Sequence, residues 1–507
     1  MGNPGKGENK SGLAEATPGS GLSRHTDGGG AGAPLEKISS LFLGIRKTRQ
    51  PMHYDVIIIG GGPGGTTAAK ELAAGGKKVA IIEDKHWGGT CLNCGCIPTK
   101  MLLGAVAPLA LLHAQQRTRV AKGEIAVDFA ALQTRVSRFT SGTSKTLGKS
   151  LASMGVTIFT GRGEGIAPGT VRVHAEDGTT DLTAQHIILA CGSSSASFPG
   201  LTPDHDCVLD STDLLRIESI PESLVIIGAG AIGLELGDFF SAMGSKVTIV
   251  EAAPHIAPLE DADIAAELRR ALQKNGITCH EGARAKDLRT VDGQAQLTLE
   301  DGTVISAAKA LVAVGRTPNT TGLNAQQWGC NLNKRGYVET NAFLEAAPNV
   351  YAVGDVNGLV LLAHAAEHQA VYVAERILGE SAGEYQSGPV PSCVYGAMEV
   401  MRVGQTAEAL LREGKNVEVS QAALSLNPIA QASGGTAGFV KTVWSDGKIA
   451  GIAAVGAGVS HLVMVALLLI KEGYTAQNLH KVMFAHPTLD EIVSMSIMAP
   501  KVRVESN

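Results

Sequence analysis

The stretch DVIIIGGGPGG at residues 55–65 places a run of apolar residues directly before glycines spaced as G-x-G-x-x-G. The apolar run predicts a buried strand, and the sequence AAKELAAGG that follows predicts a helix. Gly60 and Gly62 allow a tight turn and the close approach of a pyrophosphate, and Gly65 lets the helix pack against the strand. A second apolar run, KKVAIIE, ends at Glu83, which is placed to accept ribose hydroxyls. The stretch therefore predicts a dinucleotide-binding βαβ unit.

The same pattern recurs later in the chain. Residues 223–233 read SLVIIGAGAIG, with Gly228, Gly230 and Gly233 in the same spacing, and the next apolar run ends at Glu251. In both copies the acid follows the first glycine by 23 residues. One G-x-G-x-x-G is a weak signal, but two matched copies predict two dinucleotide sites. Glu251 favours NAD(H) over NADP(H), because a carboxylate pairs with a free ribose 2′-hydroxyl and no arginine cluster follows it.

Three cysteines crowd between the two units, in GGTCLNCGCIPTK at residues 88–100. Pro98 suits the first turn of a helix, which would put Cys96 at a helix N-terminus, where thiol pKa values are lowered. A disulfide between Cys91 and Cys96 closes too small a loop to stabilise the fold much, so it suits an exchangeable redox couple. Three zinc ligands are the alternative, but no second cysteine pair follows, and we expect no metal. Cys94 is predicted to be a small buried residue.

The composition limits the classes of function. The chain has 507 residues, enough for about three domains, and a net charge of -5 without a basic patch, so nothing suggests nucleic-acid binding. Residues 1–51 are polar and rich in glycine, and are predicted to be a disordered tail. Residues 449–470 are apolar but interrupted, which indicates a strand, a turn and a helix rather than a membrane span.

With these features together, the chain resembles the pyridine nucleotide-disulfide oxidoreductases. The resemblance rests on GGTCLNCGCIPTK and on segments that look like further family motifs, and it extends from about residue 52 to about 500. Those segments are ILACGSS (188–194), VGRTPN (314–319), NVYAVGD (349–355), LAHAAEHQA (362–370) and FAHPTLDE (484–491).

The resemblance implies that the two cofactors are FAD and NAD. The residues expected to bind them are Gly60, Gly62, Gly65, Glu83, Gly89, Thr90, Lys100, Gly192, Gly228, Gly230, Gly233, Glu251, Gly315, Gly354, Asp355 and Ala363.

The resemblance also implies a catalytic set. Cys91 and Cys96 correspond to the redox-active pair, with Cys91 attacked by substrate and Cys96 facing the flavin. His486 corresponds to the base that deprotonates the substrate thiol, and Glu491 would orient its imidazole. Lys100 and Glu235 resemble an ion pair beside the flavin.

Within the family, the run C-L-N-x-G-C-I-P-[ST]-K and the H-P-T-x-x-E ending fit members that oxidise dihydrolipoamide with NAD. The expected partners are a lipoyl-bearing protein or a small disulfide substrate, and a second copy of the chain in a homodimer whose His486 serves the partner's disulfide. We expect a cytoplasmic protein that is not bound to a membrane. Two alternatives stay open: an NADH-dependent reductase of another small disulfide, and a non-catalytic flavoprotein that acts as a binding subunit.

The expected fold class is α/β, with two Rossmann-like dinucleotide-binding domains and a C-terminal α/β dimerisation domain. The predicted domains are an FAD domain at 52–192, an NAD domain at 193–325, a central segment at 326–390 that completes the FAD site, and an interface domain at 391–507. Gly396, Ala397 and Met398 depart from the family's usual Y-T-x-P-E pattern, and Phe484 replaces a usual histidine. These departures leave the identity of the disulfide substrate open.

Overall fold

The computed structural model describes residues 52–505, so the predicted tail at residues 1–51 lies outside the described part. Its first sheet has eight strands, and its central strands pair in parallel. The strands are β1 (Met52–Ile59), β2 (Val79–Glu83), β3 (Thr157–Thr160), β4 (Arg162–Ala167), β5 (Thr170–Ala175), β6 (Gly178–Leu189), β17 (Glu345–Ala347) and β18 (Val350–Ala352). The apolar run of β1 is buried, as expected for a parallel strand covered on both faces.

The second sheet has five parallel strands and repeats the first unit's strand–glycine turn–helix order. The strands are β8 (Val208–Leu209), β9 (Ser223–Ile227), β10 (Lys246–Val250), β11 (Thr278–His280) and β15 (Lys309–Val312). A three-stranded antiparallel sheet belongs to the same part of the chain: β12 (Ala285–Val291), β13 (Gln294–Leu299) and β14 (Val304–Ala307). A short antiparallel pair, β7 (Ser193–Ser195) with β16 (Arg316–Pro318), joins the chain where it enters and leaves this unit.

The C-terminal part is built on a six-stranded antiparallel sheet. The strands are β19 (Pro391–Val394), β20 (Glu399–Gly404), β21 (Val417–Ala423), β22 (Gly438–Ser445), β23 (Lys448–Gly456) and β24 (Val502–Val504). The apolar segment 449–470 falls on β23 and on a helix after a turn, which confirms its prediction as strand, turn and helix.

Twelve α-helices connect and cover the sheets in the described chain. They are α1 (Pro63–Ala74), α2 (Gly89–Cys94), α3 (Cys96–Arg117), α4 (Phe129–Ser153), α5 (Ser211–Leu214), α6 (Ala231–Ala242), α7 (Ala262–Lys274), α8 (Ala363–Leu378), α9 (Ala407–Arg412), α10 (Pro428–Ser433), α11 (Val463–Lys471) and α12 (Glu491–Met498). Short 3₁₀ turns occur at Ala325–Trp328, Gly354–Asn357, Leu424–Leu426, Val459–Leu462 and Leu479–Lys481.

The helix after the cysteines begins where the sequence predicts. Cys96 is the first residue of α3 and Pro98 lies in its first turn, and the helix continues through Pro108. Counted through the break at Gly95, Gly89–Arg117 is the one stretch among residues 52–505 that is long and apolar enough to cross a membrane. Length and composition are the only basis for that match, and core helices of soluble proteins share both properties.

A buried charge cluster holds the C-terminal sheet against the second nucleotide-binding unit. The Lys441 side chain in β22 is 3% exposed, and its ammonium lies 2.7 Å from Asp261 and 2.5 Å from Asp263 at the start of α7. Arg402 in β20 donates to Glu260 at 2.9 Å. Because each buried charge has an opposite partner, the desolvation penalty is partly offset, and removal of one partner would leave an uncompensated charge between the two units.

Candidate active site

The third glycine of each repeat lies against the carbonyl of the first. A Cβ atom on Gly65 would lie 1.9 Å from the Gly60 carbonyl oxygen, and one on Gly233 would lie 2.0 Å from that of Gly228. A larger residue at either position would push the helix off the strand, so the close packing predicted for these glycines is present in both units.

The two predicted ribose acids are held in the same way. The Gly61 N–H donates to Glu83 at 2.6 Å, and the Ala229 N–H donates to Glu251 at 2.7 Å. Burial raises the pKa of the Glu83 carboxyl, and the N–H groups of Gly61 and nearby residues oppose that rise. Each carboxylate is thereby fixed at the end of its second strand, next to the glycine turn.

The turns leave room for a phosphate group. A Cβ on Gly230 would meet nothing within 4 Å, and one on Gly62 would meet only Gly89, at 4.0 Å. Helices α1 and α6 begin directly after these glycines, so the first turn of each helix lies next to this space. Helix N-termini of this kind suit anionic pyrophosphates. The exposed Thr90 lies beside the first turn, in α2.

The redox thiols lie on either side of the break between α2 and α3. Gly95 has φ -148° and ψ -114°, which ends α2, and Cys96 is the first residue of α3. A hydrogen bond from the Cys91 thiol, together with the Lys100 charge, lowers the pKa of Cys96 to about 7. The same hydrogen bond, and then burial, raises the pKa of Cys91. In the reduced pair Cys96 is therefore the thiol that ionises first, and Cys91 keeps its proton.

Lys100 and Glu235 form the ion pair that the resemblance implies. The Lys100 ammonium lies 2.6 Å from Glu235, whose side chain is 5% exposed. Burial raises the pKa of the Glu235 carboxyl, while Lys100 and the N–H of Tyr395 favour its charged form. The ammonium also lies 4.6 Å from the Tyr395 ring centroid. Tyr395 thus contacts both members of the pair, a role that the sequence did not reveal.

The departure at Gly396 has a physical cause. Gly396 has φ +154°, and a Cβ there would lie 2.8 Å from the buried Asp238 carboxylate. That carboxylate accepts the Ala397 N–H at 2.8 Å, and burial raises the pKa of Asp238. Asp238 follows Glu235 by one helical turn in α6, so Gly396 leaves space for a second buried acid beside the ion pair.

Asp355 is held by two residues that sequence reasoning missed. Ser193 donates its hydroxyl to Asp355, and the Arg316 guanidinium donates to Ser193 at 2.6 Å and lies 3.4 Å from Asp355. Both neighbours come directly after the predicted glycines Gly192 and Gly315, which is the signal that could have found them. Nearby, Ala363 begins helix α8, and the Gly354 N–H is bound by the Gln369 side chain at 2.7 Å.

His486 and Glu491 form a hydrogen-bonded pair in the C-terminal part of the chain, far from the cysteines in sequence. The His486 imidazole lies 3.0 Å from Glu491, and its side chain is 74% exposed. The Thr488 N–H, and then His486, lower the pKa of Glu491. Among residues 52–505, the hydrogen bonds of the His486 imidazole link it to Glu491, and none links it to Cys91 or Cys96. The structure therefore brings His486 to Glu491 within one chain.

The prediction for Cys94 is wrong. Its side chain is partly exposed rather than buried, at the C-terminal end of α2.

Two dinucleotide-binding units and a dithiol beside a lysine–glutamate pair define a class: enzymes that pass electrons between a dithiol and a nicotinamide nucleotide. The chain belongs to the family described as pyridine nucleotide-disulphide oxidoreductase, which it matches over residues 54–370. It matches that family's dimerisation domain over residues 390–497. The predicted α/β fold is confirmed, and members of the family use FAD and NAD(H).

Relatives with assigned activities cover most of the chain. It is 35% identical to dihydrolipoyl dehydrogenase of Chlorobaculum tepidum, over 82% of this chain and 90% of that protein. It is also 35% identical to dihydrolipoyl dehydrogenase of Trypanosoma brucei brucei, over 88% of this chain and 96% of that protein. LpdA from Mycobacterium tuberculosis superposes with a TM-score of 0.81 at 26% identity, covering 88% of this chain and 99% of that one. The HOCl-induced flavoprotein disulfide reductase RclA from Escherichia coli superposes with a TM-score of 0.77 at 28% identity, covering 88% of this chain and 99% of that one.

Proposed function

We propose that the chain is a dihydrolipoyl dehydrogenase, which oxidises the dihydrolipoyl group of a partner protein and reduces NAD. The observation that carries the proposal is the dithiol: Cys91 and Cys96 lie on either side of the break between α2 and α3, and the Lys100–Glu235 ion pair follows one turn further along α3. The lowered pKa of Cys96 agrees with this role. The relatives named dihydrolipoyl dehydrogenase support the substrate. A cytoplasmic location, where dithiols stay reduced, fits this activity and is part of the proposal.

In the proposed reaction the protein's own groups move protons and bonds in a fixed order. His486 removes a proton from a substrate thiol, and Glu491 stabilises the resulting imidazolium. The substrate thiolate attacks Cys91, which breaks the Cys91–Cys96 bond and releases Cys96 as a thiolate. Lys100 stabilises that thiolate. The second substrate thiol then displaces Cys91 from the mixed disulfide, and its proton passes to the departing Cys91 thiolate, so that the substrate leaves as a disulfide. When bound, FAD would pass the electron pair from the dithiol to NAD.

The residues present fit the two nucleotides. Open space at Gly62 and Gly230, above free helix N-termini, suits the pyrophosphates. Glu83 and Glu251 are the expected ribose partners, and Asp355 is the expected ribityl partner.

We infer a homodimer in which each His486 acts on the other subunit's thiols. The exposed His486–Glu491 pair and the match to a dimerisation domain support it. In such a dimer the thiols and the base come from different copies, so one chain alone holds half of the substrate site.

The test measures each half-reaction by stopped flow. His486→Gln is expected to slow reduction of the enzyme by dihydrolipoamide by roughly 10²–10⁴-fold, the usual contribution of a positioned base. Reduction by NADH is expected to change little, because that step needs no thiol deprotonation. His480→Gln is the matched control, since His480 is another exposed histidine of this domain. If His486→Gln slowed the dihydrolipoamide and NADH half-reactions equally, His486 would not be the base that deprotonates the substrate thiol.

A second candidate is an NADH-dependent reductase of another small disulfide. The departures at Gly396–Met398 and Phe484, together with the likeness to a flavoprotein disulfide reductase, favour it. A substrate panel decides: higher kcat/KM for a different disulfide than for lipoamide would select this candidate.

A further inference from the structure

The side chain of Asn427 links helix α10 to the turn that precedes Glu491. Asn427 is 0% exposed and is the N-cap residue of α10. Its side-chain oxygen accepts the N–H of Ile429 at 2.9 Å and that of Ala430 at 3.2 Å. Its amide nitrogen donates to the Thr488 carbonyl at 2.9 Å, 61 residues further along the chain. The accepting and the donating atom of this buried amide are therefore both in use.

Thr488 connects Asn427 to the His486–Glu491 pair. The Thr488 N–H donates to one oxygen of the Glu491 carboxylate at 3.0 Å, and the other oxygen lies 3.0 Å from the His486 imidazole. The Thr488 hydroxyl also donates to the Ala485 carbonyl at 2.8 Å, which closes the turn that holds His486. The hydrogen bonds thus run from the buried Asn427 through Thr488 to the pair.

The exposure of the pair shows why such an anchor matters. The His486 side chain is 74% exposed, so packing constrains it less than it constrains a buried side chain. Helix α10, where the anchor begins, is also held from the other side, because the Gln115 side chain of α3 donates to the Ala432 carbonyl at 3.2 Å. A fixed point in the fold is thereby connected to an exposed imidazole, and the alignment of a base with its substrate affects the rate of proton transfer.

The residue type at position 427 suits two tasks at once. Ser, Thr, Asp and Asn all serve as helix N-caps, because each offers a side-chain oxygen to the free N–H groups of the first turn. Among these four, asparagine alone accepts through one terminal atom and donates through another, so it can cap α10 and bind the Thr488 carbonyl together. Substitutions at this position can therefore separate the cap from the anchor.

We propose that Asn427 is a positioning residue for the thiol-oxidising step: its amide holds the Thr488 turn so that Glu491 aligns the His486 imidazole with the substrate thiol. Asn427 acts through Thr488 and Glu491 and does not touch the substrate. The proton still moves from the substrate thiol to His486, and the anchor determines how well the imidazole is placed to receive it. The proposal rests on the proposed function, because His486 is the base in that reaction.

The experiment compares Asn427→Ser with wild type in the FAD-loaded enzyme. Serine keeps an N-cap oxygen for α10 but lacks the amide that binds Thr488. By stopped flow, we expect reduction by dihydrolipoamide to slow by about 10- to 100-fold, since a misplacement of about 1 Å can cost about 10²-fold, and reduction by NADH to stay unchanged. Hydrogen exchange in the peptide that contains Thr488, measured by mass spectrometry, is expected to become faster, because the turn loses an anchor.

Two further variants control for the helix cap and for folding. Thr406→Ala is the matched control, because Thr406 caps α9 in the same domain by accepting the Ala409 N–H at 3.1 Å. It removes a cap and is expected to leave both half-reactions and the exchange of the Thr488 peptide as in wild type. Asn427→Asp keeps the cap and the shape but turns an acceptor toward the Thr488 carbonyl, so it is expected to give the same selective loss as Asn427→Ser.

A double-mutant cycle shows whether Asn427 acts through Glu491. In a Glu491→Gln background, Asn427→Ser is expected to slow the dihydrolipoamide half-reaction much less than it does in wild type, because the group that it positions is already altered. Equal slowing in the two backgrounds, or unchanged exchange of the Thr488 peptide, would overturn the proposal. If His486→Gln kept the wild-type rate with dihydrolipoamide while Asn427→Ser still made that exchange faster, the proposed function would be wrong and the anchor would stand.

Discussion

Cys96 shows how one residue's position sets its chemistry. It begins helix α3, accepts a hydrogen bond from the Cys91 thiol and is influenced by the Lys100 charge, so its pKa is lowered to about 7. Because a lowered pKa favours the thiolate, its reactivity is expected to rise with pH through about 7 and then level off. Measuring the rate of Cys96 alkylation by iodoacetamide against pH, in reduced enzyme, checks this.

Lys100→Met extends the same prediction. Removing the ammonium withdraws an attraction for the Cys96 thiolate, so the midpoint of the alkylation profile is expected to rise by about one pH unit. Lys85→Met is the control, because Lys85 is exposed and has no part in the pKa of Cys96. An unchanged midpoint in Lys100→Met would mean that the Cys91 hydrogen bond alone sets the value.

The hydrogen bonds of Glu251 lead to a prediction about the preference for NADH over NADPH. Its two carboxylate oxygens accept the N–H groups of Ala229 and Ala253, each at 2.7 Å, so the charge cannot swing away from an incoming ribose. A 2′-phosphate would meet this fixed charge at a cost of several kcal/mol, so kcat/KM is expected to favour NADH over NADPH by about 10²-fold or more.

Glu251→Gln is expected to reduce that preference by at least about tenfold, because the repulsion is lost, although the amide can accept only one of the two backbone N–H groups. Glu83→Gln, the matched change in the first unit, is expected to lower FAD content and leave the NADH/NADPH ratio unaltered. A wild-type enzyme without preference would show that Glu251 does not face the ribose.

Among the elements, the link from β19 to β20 is fitted to helix α6. Gly396→Thr restores the residue usual in the family, but its Cβ would lie 2.8 Å from Asp238 and its backbone is held at φ +154°. We expect it to lower the free energy of unfolding by about 1–3 kcal/mol, as measured by urea denaturation.

Two further variants separate the steric overlap with Asp238 from the strain of the backbone. Gly178→Thr places the same side chain at φ +136° with nothing within 4 Å of its Cβ, so it reports the strain of a similar backbone without an overlap. In Gly396→Thr with Asp238→Ala, the overlap is removed, and a coupling of about 1 kcal/mol or more is expected from the double-mutant cycle. If the two substitutions changed the free energy of unfolding additively, Asp238 would not be the reason that position 396 is a glycine.

At the scale of the whole molecule, the separation of His486 from the thiols predicts complementation between inactive subunits. Cys91→Ser and His486→Gln homodimers are each expected to be nearly inactive with dihydrolipoamide. Mixed under conditions that exchange subunits, half of the dimers become hybrids with one complete site each, which gives about a quarter of wild-type activity. If base and thiols acted within one chain, mixing would restore nothing.

The sequence by itself determined the features that depend on neighbouring residues. Two apolar runs before G-x-G-x-x-G turns predicted both nucleotide-binding units, and the structure has them with matching carboxylate contacts at Glu83 and Glu251. Strand, turn and helix at residues 449–470 followed from the apolar pattern and its interruptions. Such features are local, because hydrophobic period and glycine geometry act over a few residues.

Only the tertiary structure decided which distant residues meet. Ser193 and Arg316 reach Asp355, and Tyr395 lies against Lys100, across separations in sequence that no local pattern records. Cys94 was predicted to be buried, yet it opens into a cleft whose other walls come from α4 and residues 215–218. Exposure and long-range contact depend on how whole elements pack, because a side chain's neighbours are set by the sum of all contacts and not by its own segment.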